Sequence, residues 1–161
     1  HLQENGLDGV EFYITTNPGE PLKPLVRVAS GGELSRVMLA MKTIFSQTQG
    51  ITSIVFDEVD TGISGRMAQV VAEKMAAIAR TRQVICVTHL AQLASMADVH
   101  YLIEKQVKGE ATQTMVQRLT PTQRTQEVAR LLGGEGQSGH GLLHAEEMIA
   151  AADAYKKSLA L

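Results

Sequence analysis

The sequence has 161 residues, of which 44% are hydrophobic, so it is long enough to form one domain with a core of its own. Its 15 Lys and Arg nearly balance its 17 Asp and Glu, and this balance does not predict a basic nucleic-acid-binding surface. No apolar run approaches the ~20 residues of a membrane span. The single cysteine, Cys86, excludes an internal disulfide and fits a reducing, cytoplasmic environment.

The chain opens with a predicted strand over residues 10–16, closed by a turn at Asn17-Pro18-Gly19. The three prolines at positions 18, 21 and 24 are incompatible with a helix before Val28. Residues 25–28 are therefore interpreted as a short strand that leads into a glycine-containing segment.

Residues 33–45 are predicted to form a helix, because their apolar side chains recur at helical spacing. Ser30 and Glu33 match the capping box, which satisfies free amides at a helix start and would by itself explain Ser30. Gly31 and Gly32 are not needed for capping, and they leave backbone amides open at the positive end of the helix dipole, where a phosphate can be held closely. The helix is expected to bury one apolar stripe: Leu34, Val37, Met38, Met41, Ile44 and Phe45.

An uninterrupted apolar run over residues 53–57 predicts a strand buried on both faces of a parallel sheet, ending in Asp57 and Glu58. In open α/β sheets, ligands bind beyond the carboxyl ends of the strands, where two carboxylates could meet a metal ion or a phosphate. The alternative is an Asp-Glu pair that merely opens a solvated loop, and this short pattern does not distinguish the two.

A turn and a second helix follow this strand. Ser64 stands at the end of the turn and is a candidate N-cap for a helix over residues 65–80. We expect the inner face of this helix to consist of Met67, Val71, Met75 and Ile78.

A second uninterrupted apolar strand is predicted over residues 83–87, with Cys86 as a small buried side chain. It closes on His89 and leads into a helix over residues 90–97. Strand, helix and strand in this order predict a right-handed crossover between two parallel strands. Asp57 and His89 should therefore emerge at the same edge of the sheet.

The last third of the sequence predicts a hairpin and two helices. Residues 99–105 and 112–119 flank a turn and indicate an antiparallel hairpin. Thr120 and Pro121 carry the capping signals of a helix that runs to Leu132.

A glycine-rich segment over residues 133–141 is expected to be mobile, and an Ala-rich helix should occupy residues 142–157. His140 and His144 are four residues apart and could bind a metal ion on a helix, but the glycines place His140 in a loop. Solvated histidines are therefore the favoured interpretation.

Three motifs occur in a fixed order: a Ser-Gly-Gly helix start, an apolar strand ending in Asp-Glu, and an apolar strand ending in histidine. In this order they resemble the C-terminal half of an ABC-type ATPase head, as found in the SMC and Rad50 group. Several sequence segments are also similar to those of the RecN family of bacterial, SMC-like DNA-repair ATPases. The segments that carry the resemblance are TNPGEPLKPL, the signature-like ASGGELSR, FDEVDTGISG with Walker B and D-loop character, and THLAQLASMAD with YLIEK after it.

The resemblance implies an α/β fold, namely the C-terminal half of an ABC/SMC-type head with a parallel βαβ core, flanking helices and a C-terminal antiparallel hairpin. It implies that Asp57 helps to hold Mg²⁺, Glu58 orients and deprotonates the attacking water, and His89 contacts the γ-phosphate of ATP. Such a set fits phosphoryl transfer, which needs metal binding, water positioning and charge stabilisation. The residues implied to meet the ATP of an opposing head are Ser30, Gly31, Gly32 and Glu33, with Ser64 in the D-loop.

Two departures from the family pattern matter. The signature starts with Ala29 and ends with Glu33, where ABC proteins commonly have Leu and Gln, although Glu is usual among SMC relatives. Ser64 stands where many relatives have the D-loop Asp, so a contact between heads through that carboxylate is not expected. Two further side chains have open roles: Arg36 either reaches nucleotide or a partner or is simply exposed, and Asp60 either supports the acidic loop or is a plain turn residue.

The sequence contains no Gly-Lys dipeptide, and therefore no P-loop of the pattern Gly-x-x-x-x-Gly-Lys-[Ser/Thr]. We expect residues 1–161 to be one half-head, with the N-terminal P-loop half and the coiled coil absent from it. Such a piece should expose apolar surface, be inactive alone, and hydrolyse ATP only when that N-terminal half complements it. The expected partners are that half, a second copy of the head in a homodimer, and DNA through the full-length protein, with no membrane.

The expected function is ATP hydrolysis coupled to head dimerisation in DNA double-strand break repair and recombination, in the cytoplasm at the nucleoid. Two alternatives are an ATPase half-domain of another ABC protein, such as a transporter, and a non-catalytic module that only dimerises heads.

Overall fold

The fold is described by a computed structural model over residues 9–15, 18–28, 31–45, 50–57, 59–108, 111–133 and 139–159. Over these residues the chain is a mixed α/β structure in which helices alternate with two-stranded sheets. The elements in chain order are β1 (Tyr13–Ile14), β2 (Lys23–Pro24), α1 (Leu25–Val28), α2 (Gly31–Phe45), β3 (Ser53–Phe56), α3 (Gly65–Ala79), β4 (Gln83–Cys86), α4 (Ala91–Met96), β5 (Tyr101–Lys108), β6 (Ala111–Arg118), α5 (Pro121–Leu131) and α6 (Gly139–Ser158).

A parallel pair of strands lies at the centre of the fold. β3 pairs in parallel with β4, so that Ile54 lies opposite Val84 and Phe56 opposite Cys86. Parallel neighbours cannot be joined by a tight turn, and α3 makes the crossover between them. The βαβ unit predicted from the sequence is therefore confirmed.

Only one face of this pair is covered within the described part of the chain. Ile54 and Phe56 are buried in the main core, whereas Val55, Ile85 and Val87 are about half exposed. The prediction that β3 is buried on both faces is wrong here, because side-chain alternation sends Val55 to a face on which no described element buries it.

Helix α3 covers the inner face of the sheet with mostly small side chains. Val71, Met75 and Ile78 are buried as predicted, whereas Met67 is exposed and Ala68 is buried beside it. Alanine at three of the buried positions permits a close approach of the neighbouring elements. The buried side chains of α3 are Ala68, Val71, Ala72, Met75, Ala76 and Ile78.

Helix α2 begins at Gly31, two residues before the predicted start, and ends at Phe45 as predicted. Its expected buried stripe is only partly observed: Leu34, Met38 and Ile44 are exposed, Val37 and Met41 are partly buried, and the side chain of Phe45 lies outside the described residues. Leu39, which was not expected in the stripe, is buried in the core. The helical period was identified correctly, but periodicity cannot say what covers a face.

A second core joins α4, α5 and α6. It contains Ala91 and Ala94 of α4, Val128 and Ala129 of α5, and Ala145 of α6. The start of α5 has the predicted capping box, in which Thr120 and Gln123 bond reciprocally, and Pro121 occupies the first helical position.

The N-terminal segment differs most from its prediction. The strand predicted over residues 10–16 is described only as Tyr13–Ile14, and residues 25–28 form the helix α1 rather than a strand. The prolines do not prevent this helix, because Pro24 precedes it and none lies inside it, and a proline before or at the first turn leaves helical hydrogen bonds intact.

The C-terminal part follows the prediction more closely. β5 and β6 form the predicted antiparallel hairpin, with Tyr101 opposite Arg118. α6 starts at Gly139, earlier than expected, so His140 is helical rather than in a loop; of the predicted mobile segment, residues 134–138 lie outside the described residues. None of the described helices combines the length and the apolar character needed to cross a bilayer.

Truncation of a core valine tests the second core. Val128 has 0% exposure, so Val128→Ala should lower the free energy of unfolding by about 2 kcal/mol through lost burial and a cavity. Urea unfolding followed by circular dichroism measures this. The matched control is Val70→Ala, the same change on α3 at a site with 41% exposure, which should change stability by less than about 0.5 kcal/mol. Equal effects at both positions would contradict the assignment of this core.

Candidate functional site

The carboxyl ends of β3 and β4 lie side by side at one edge of the sheet. The backbone N–H of Val87 donates to the carbonyl of Phe56 at 3.0 Å, so the two strands stay paired up to their ends. Asp57 follows Phe56 in an exposed bend, and His89 follows β4 by three residues. The structure thus brings Asp57 and His89 to the same sheet edge, as the crossover rule predicts.

A buried carboxylate holds this edge together. The Oδ2 atom of Asp60 accepts from the Thr88 hydroxyl at 2.5 Å and from the backbone N–H of His89 at 3.0 Å. The same oxygen lies 3.1 Å from Nδ1 of His89. The side chain of Asp60 is 3% exposed and that of His89 is 71% exposed, so the imidazole extends into solvent from a buried anchor.

Asp60 therefore has a defined role that its sequence context left open. It ties the turn after β3 to the segment between β4 and α4. Thr88 extends this link, because its hydroxyl also accepts from the backbone N–H of Leu90 at 3.0 Å, at the start of α4. The sequence analysis did not identify Thr88 as a site residue. The pattern that could have indicated it is a Thr-His pair and an Asp, each a few residues after one of two neighbouring parallel strands.

The turn that follows β3 depends on two glycines. Gly62 and Gly65 have φ angles of 73° and 52°, in the left-handed region that favours glycine. Ser64 lies between them as the N-cap of α3, but its side chain makes no capping hydrogen bond. The N-cap position was predicted correctly, whereas capping by the Ser64 hydroxyl is not observed.

Arg36 connects helix α2 to this turn. Its Nη1 donates to the backbone carbonyl of Thr61 at 3.0 Å, so it is not simply an exposed helix residue. The start of α2 and the loop after β3 are thereby joined across 25 positions of the chain.

Two predicted site residues, Ser30 and Glu58, lie outside the described residues. The capping box proposed for Ser30 and Glu33 therefore also lies outside the described residues. Gly31, Gly32 and Glu33 form the first turn of α2. The helix therefore starts within the signature-like motif, and its free backbone amides belong to these residues.

The sheet edge is acidic because the carboxylates of Asp57 and Asp60 lie there, close enough to Cys86 on the inner face of β4 to act on its thiol. The pKa of the Cys86 thiol is raised to about 12, mainly by burial and to a smaller extent by the nearby carboxylates of Asp60 and Asp57. The thiol is thus neutral at physiological pH. An edge with this charge favours a cation over a bare phosphate.

The donor set fits Mg²⁺ in one specific way. Among the described residues, no group of three or more His, Cys, Asp and Glu side chains could enclose a metal ion. Mg²⁺ does not need such a group, because it binds through one or two carboxylates together with waters and substrate phosphates. The exposed carboxylate of Asp57 suits this mode of binding.

The helical pair His140 and His144 offers no such site. Both side chains are on the exposed surface of α6, and Nδ1 of His144 lies 3.7 Å from a carboxylate oxygen of Glu147. The interpretation as solvated histidines stands, although the reason given for it, a loop position of His140, is wrong.

The chain is similar in sequence to RecN proteins. It is 51% identical to the DNA repair protein RecN of Bacillus subtilis over 155 residues, which are 96% of this chain and 27% of the relative. The RecN of Halalkalibacterium halodurans matches with the same identity and coverage, and that of Deinococcus radiodurans is 50% identical over 145 residues, 90% of this chain and 25% of the relative. The chain spans about a quarter of the length of these relatives. No protein-family model matches it.

A solved structure is similar in fold. It is described as "Structural biochemistry of ATP-driven dimerization and DNA stimulated activation of SMC ATPases", and it aligns with a TM-score of 0.53 over 84% of this chain and 80% of that chain. The sequence identity is 18%, so the likeness concerns the fold alone. This chain therefore shares its fold with that chain.

The raised pKa of Cys86, the single cysteine of the chain, can be tested by alkylation. With a pKa of about 12, this thiol should react with iodoacetamide at pH 8 about a thousandfold more slowly than an ordinary thiol, because little thiolate is present. Mass spectrometry measures the rate. A Cys86→Ala, Thr122→Cys variant, with the thiol at an exposed position of α5, should react at the ordinary rate; equal rates would contradict the raised pKa.

Proposed function

Because this chain belongs to the RecN family over nearly its whole length, we propose that it is the C-terminal part of an ATPase head that acts in DNA double-strand break repair and recombination. Residues 1–161 are one half-head, which binds ATP and Mg²⁺ in a site completed by the N-terminal half of the same protein. Its further partners are a second head, in a homodimer, and DNA through the full-length protein. The protein works in the cytoplasm, at the nucleoid.

One observation carries this proposal: the paired ends of β3 and β4 put Asp57 and His89 at one acidic edge of the sheet. The carboxyl end of parallel strands is where open α/β sheets bind their ligands. The high identity to RecN proteins over the same residues supports the choice of ATP among such ligands.

In the proposed reaction each side chain has one task. Asp57 would hold Mg²⁺, and the ion would supply neutralisation of the charge on the phosphates of ATP during phosphoryl transfer. Glu58 orients the attacking water and accepts its proton as general base. His89 donates from its exposed imidazole to the γ-phosphate.

The opposing head contributes through its signature helix. Ser30, Gly31 and Gly32 bind the γ-phosphate across the dimer, and Glu33 and Ser64 lie beside that contact. Support comes from the start of α2 at Gly31, since free amides and the helix dipole favour a phosphate at such a terminus. The hydrogen bond from Arg36 to Thr61 links this helix to the D-loop turn of its own head.

The site is composite, and this segment is inactive by itself. The chain lacks the P-loop that cradles phosphates. The half-exposed apolar face of β3 and β4, with Val55, Ile85 and Val87, is the surface on which the N-terminal half would extend the core. One rival is a module that dimerises heads without catalysis. The RecN identity argues against the other rival, a transporter ATPase.

Replacement of the proposed general base separates catalysis from docking. In the full-length protein, Glu58→Gln should keep ATP binding but lower ATP turnover by about 100-fold or more and accumulate closed dimers, because it removes the base and preserves the shape. Phosphate release and analytical ultracentrifugation with ATP measure the two effects. Glu146→Gln, an exposed change on α6, is the matched control and should retain full turnover. Unchanged turnover in Glu58→Gln would remove Glu58 from this role, and an inactive wild-type protein would favour the docking module.

Replacement of the signature serine tests the contact between heads. Ser30→Arg should leave ATP binding to one head intact but abolish ATP-dependent dimerisation, because a bulky cation then fills the position proposed for the γ-phosphate of the opposing head. Equilibrium binding of a fluorescent ATP analogue and size-exclusion chromatography report the two steps. Ser158→Arg, at the end of α6, is the control and should dimerise normally. Loss of ATP binding to a single head would instead place Ser30 in its own head's site.

A further inference from the structure

The most deeply buried acid of the described chain lies beside the site without a part in the proposed reaction. Asp60 is 2% exposed, and the other buried polar side chain among the described residues is Ser95. A buried carboxylate is costly unless it is well hydrogen-bonded. All the donors recorded for Asp60 come from two consecutive residues, Thr88 and His89, and converge on the same oxygen.

We propose that Asp60 is the positioning residue for His89: it fixes the orientation of the imidazole that meets the γ-phosphate. This inference rests on the role proposed for His89. With Nδ1 3.1 Å from Oδ2 of Asp60, the Nδ1 proton is donated inward, and Nε2 lies at the outer side of the ring, where it donates to the γ-phosphate when the ring carries both protons. A carboxylate behind a functional histidine orients the ring in this way at metal sites, and its loss there costs about 10- to 100-fold.

Two features favour orientation of the ring over support of the loop alone. The imidazole of His89 is 71% exposed, so the surrounding side chains do not confine it, and its contact with Asp60 is the polar contact recorded for the ring. The backbone N–H of His89 donates to the same oxygen at 3.0 Å. Both the backbone and the ring of His89 are thereby fixed relative to one atom.

Thr88 makes this anchor rigid. Its hydroxyl donates to Asp60 and accepts from the N–H of Leu90, and so it connects the carboxylate to the start of α4. Asp60 itself follows the segment that contains Asp57 and Glu58. The contact of Asp60 with Thr88 and His89 therefore holds the acidic loop after β3 close to the histidine after β4.

The test is a double-mutant cycle for ATP hydrolysis in the full-length protein, with His89→Ala and Asp60→Ala. Asp60→Ala alone should lower kcat about 10- to 100-fold and change KM for ATP by less than about threefold. In the His89→Ala background the same change should cost no further kcat, since the ring that Asp60 orients is gone. An equal loss in both backgrounds would mean that Asp60 only supports the fold, and would overturn the proposal.

Asp60→Asn keeps the cycle decisive if Asp60→Ala does not fold. The bonds to Asp60 end on one oxygen, so the amide oxygen of Asn can receive the same donors, but without the charge that strengthens them. It should lower kcat at least about threefold in the wild-type background and not in His89→Ala; no loss in the wild-type background, or equal loss in both, overturns the proposal. Asp98→Asn, at an exposed residue paired with Lys156, is the matched control and should retain full kcat.

The two proposals fail in different ways. If His89→Ala has the kcat of the wild type, the role proposed for His89 is wrong, and the positioning role falls with it, whereas Glu58→Gln still tests the ATPase. If His89→Ala is slow and the losses from Asp60→Ala are the same in both backgrounds, only the positioning role is overturned.

Discussion

The parallel pairing of β3 with β4 is the constraint on which the rest of this structure depends. A parallel pair needs a long crossover, and α3 supplies it. Because of this crossover, the carboxyl ends of both strands lie at the same edge of the sheet. The loop after Phe56 and the loop after Cys86 are therefore neighbours. The chemistry-bearing side chains meet because of this topology, although 32 positions separate Asp57 from His89 in the sequence.

Pairing alone would leave two free loops at this edge, and polar contacts remove that freedom. Asp60 joins the first loop to the second through Thr88 and His89, and Arg36 joins the first loop to α2. The glycine at position 62 permits the tight turn that this arrangement requires. A buried carboxylate and an arginine thus connect three segments of the chain, namely α2 and the loops after β3 and β4, and a left-handed glycine turn lies in the first of these loops.

Sequence patterns predicted what depends on neighbours along the chain. The parallel unit, the β5–β6 hairpin and the capping box at Thr120 follow from local periodicity and turn chemistry, and they are confirmed. The predicted burial of Val55 and of part of the α2 stripe was wrong, because a period says which side chains share a face and not what packs on it. Asp60 was undecidable for the same reason: its partners lie in the segment after β4, and an Asp in a turn has the same local pattern with or without them.

The exposed face of the β3–β4 pair bears on how a composite ATPase would work. Val55 lies on this face two residues before Asp57, and Ile85 lies opposite it on β4. In the proposed assembly, covering this face with the N-terminal half removes apolar surface from water, which is the main driving force of association. The strands that gain this burial are the strands that end in the acidic edge. Association of the halves and completion of the site would therefore be one event, because the same two strands carry the interface along their length and the functional side chains at their ends.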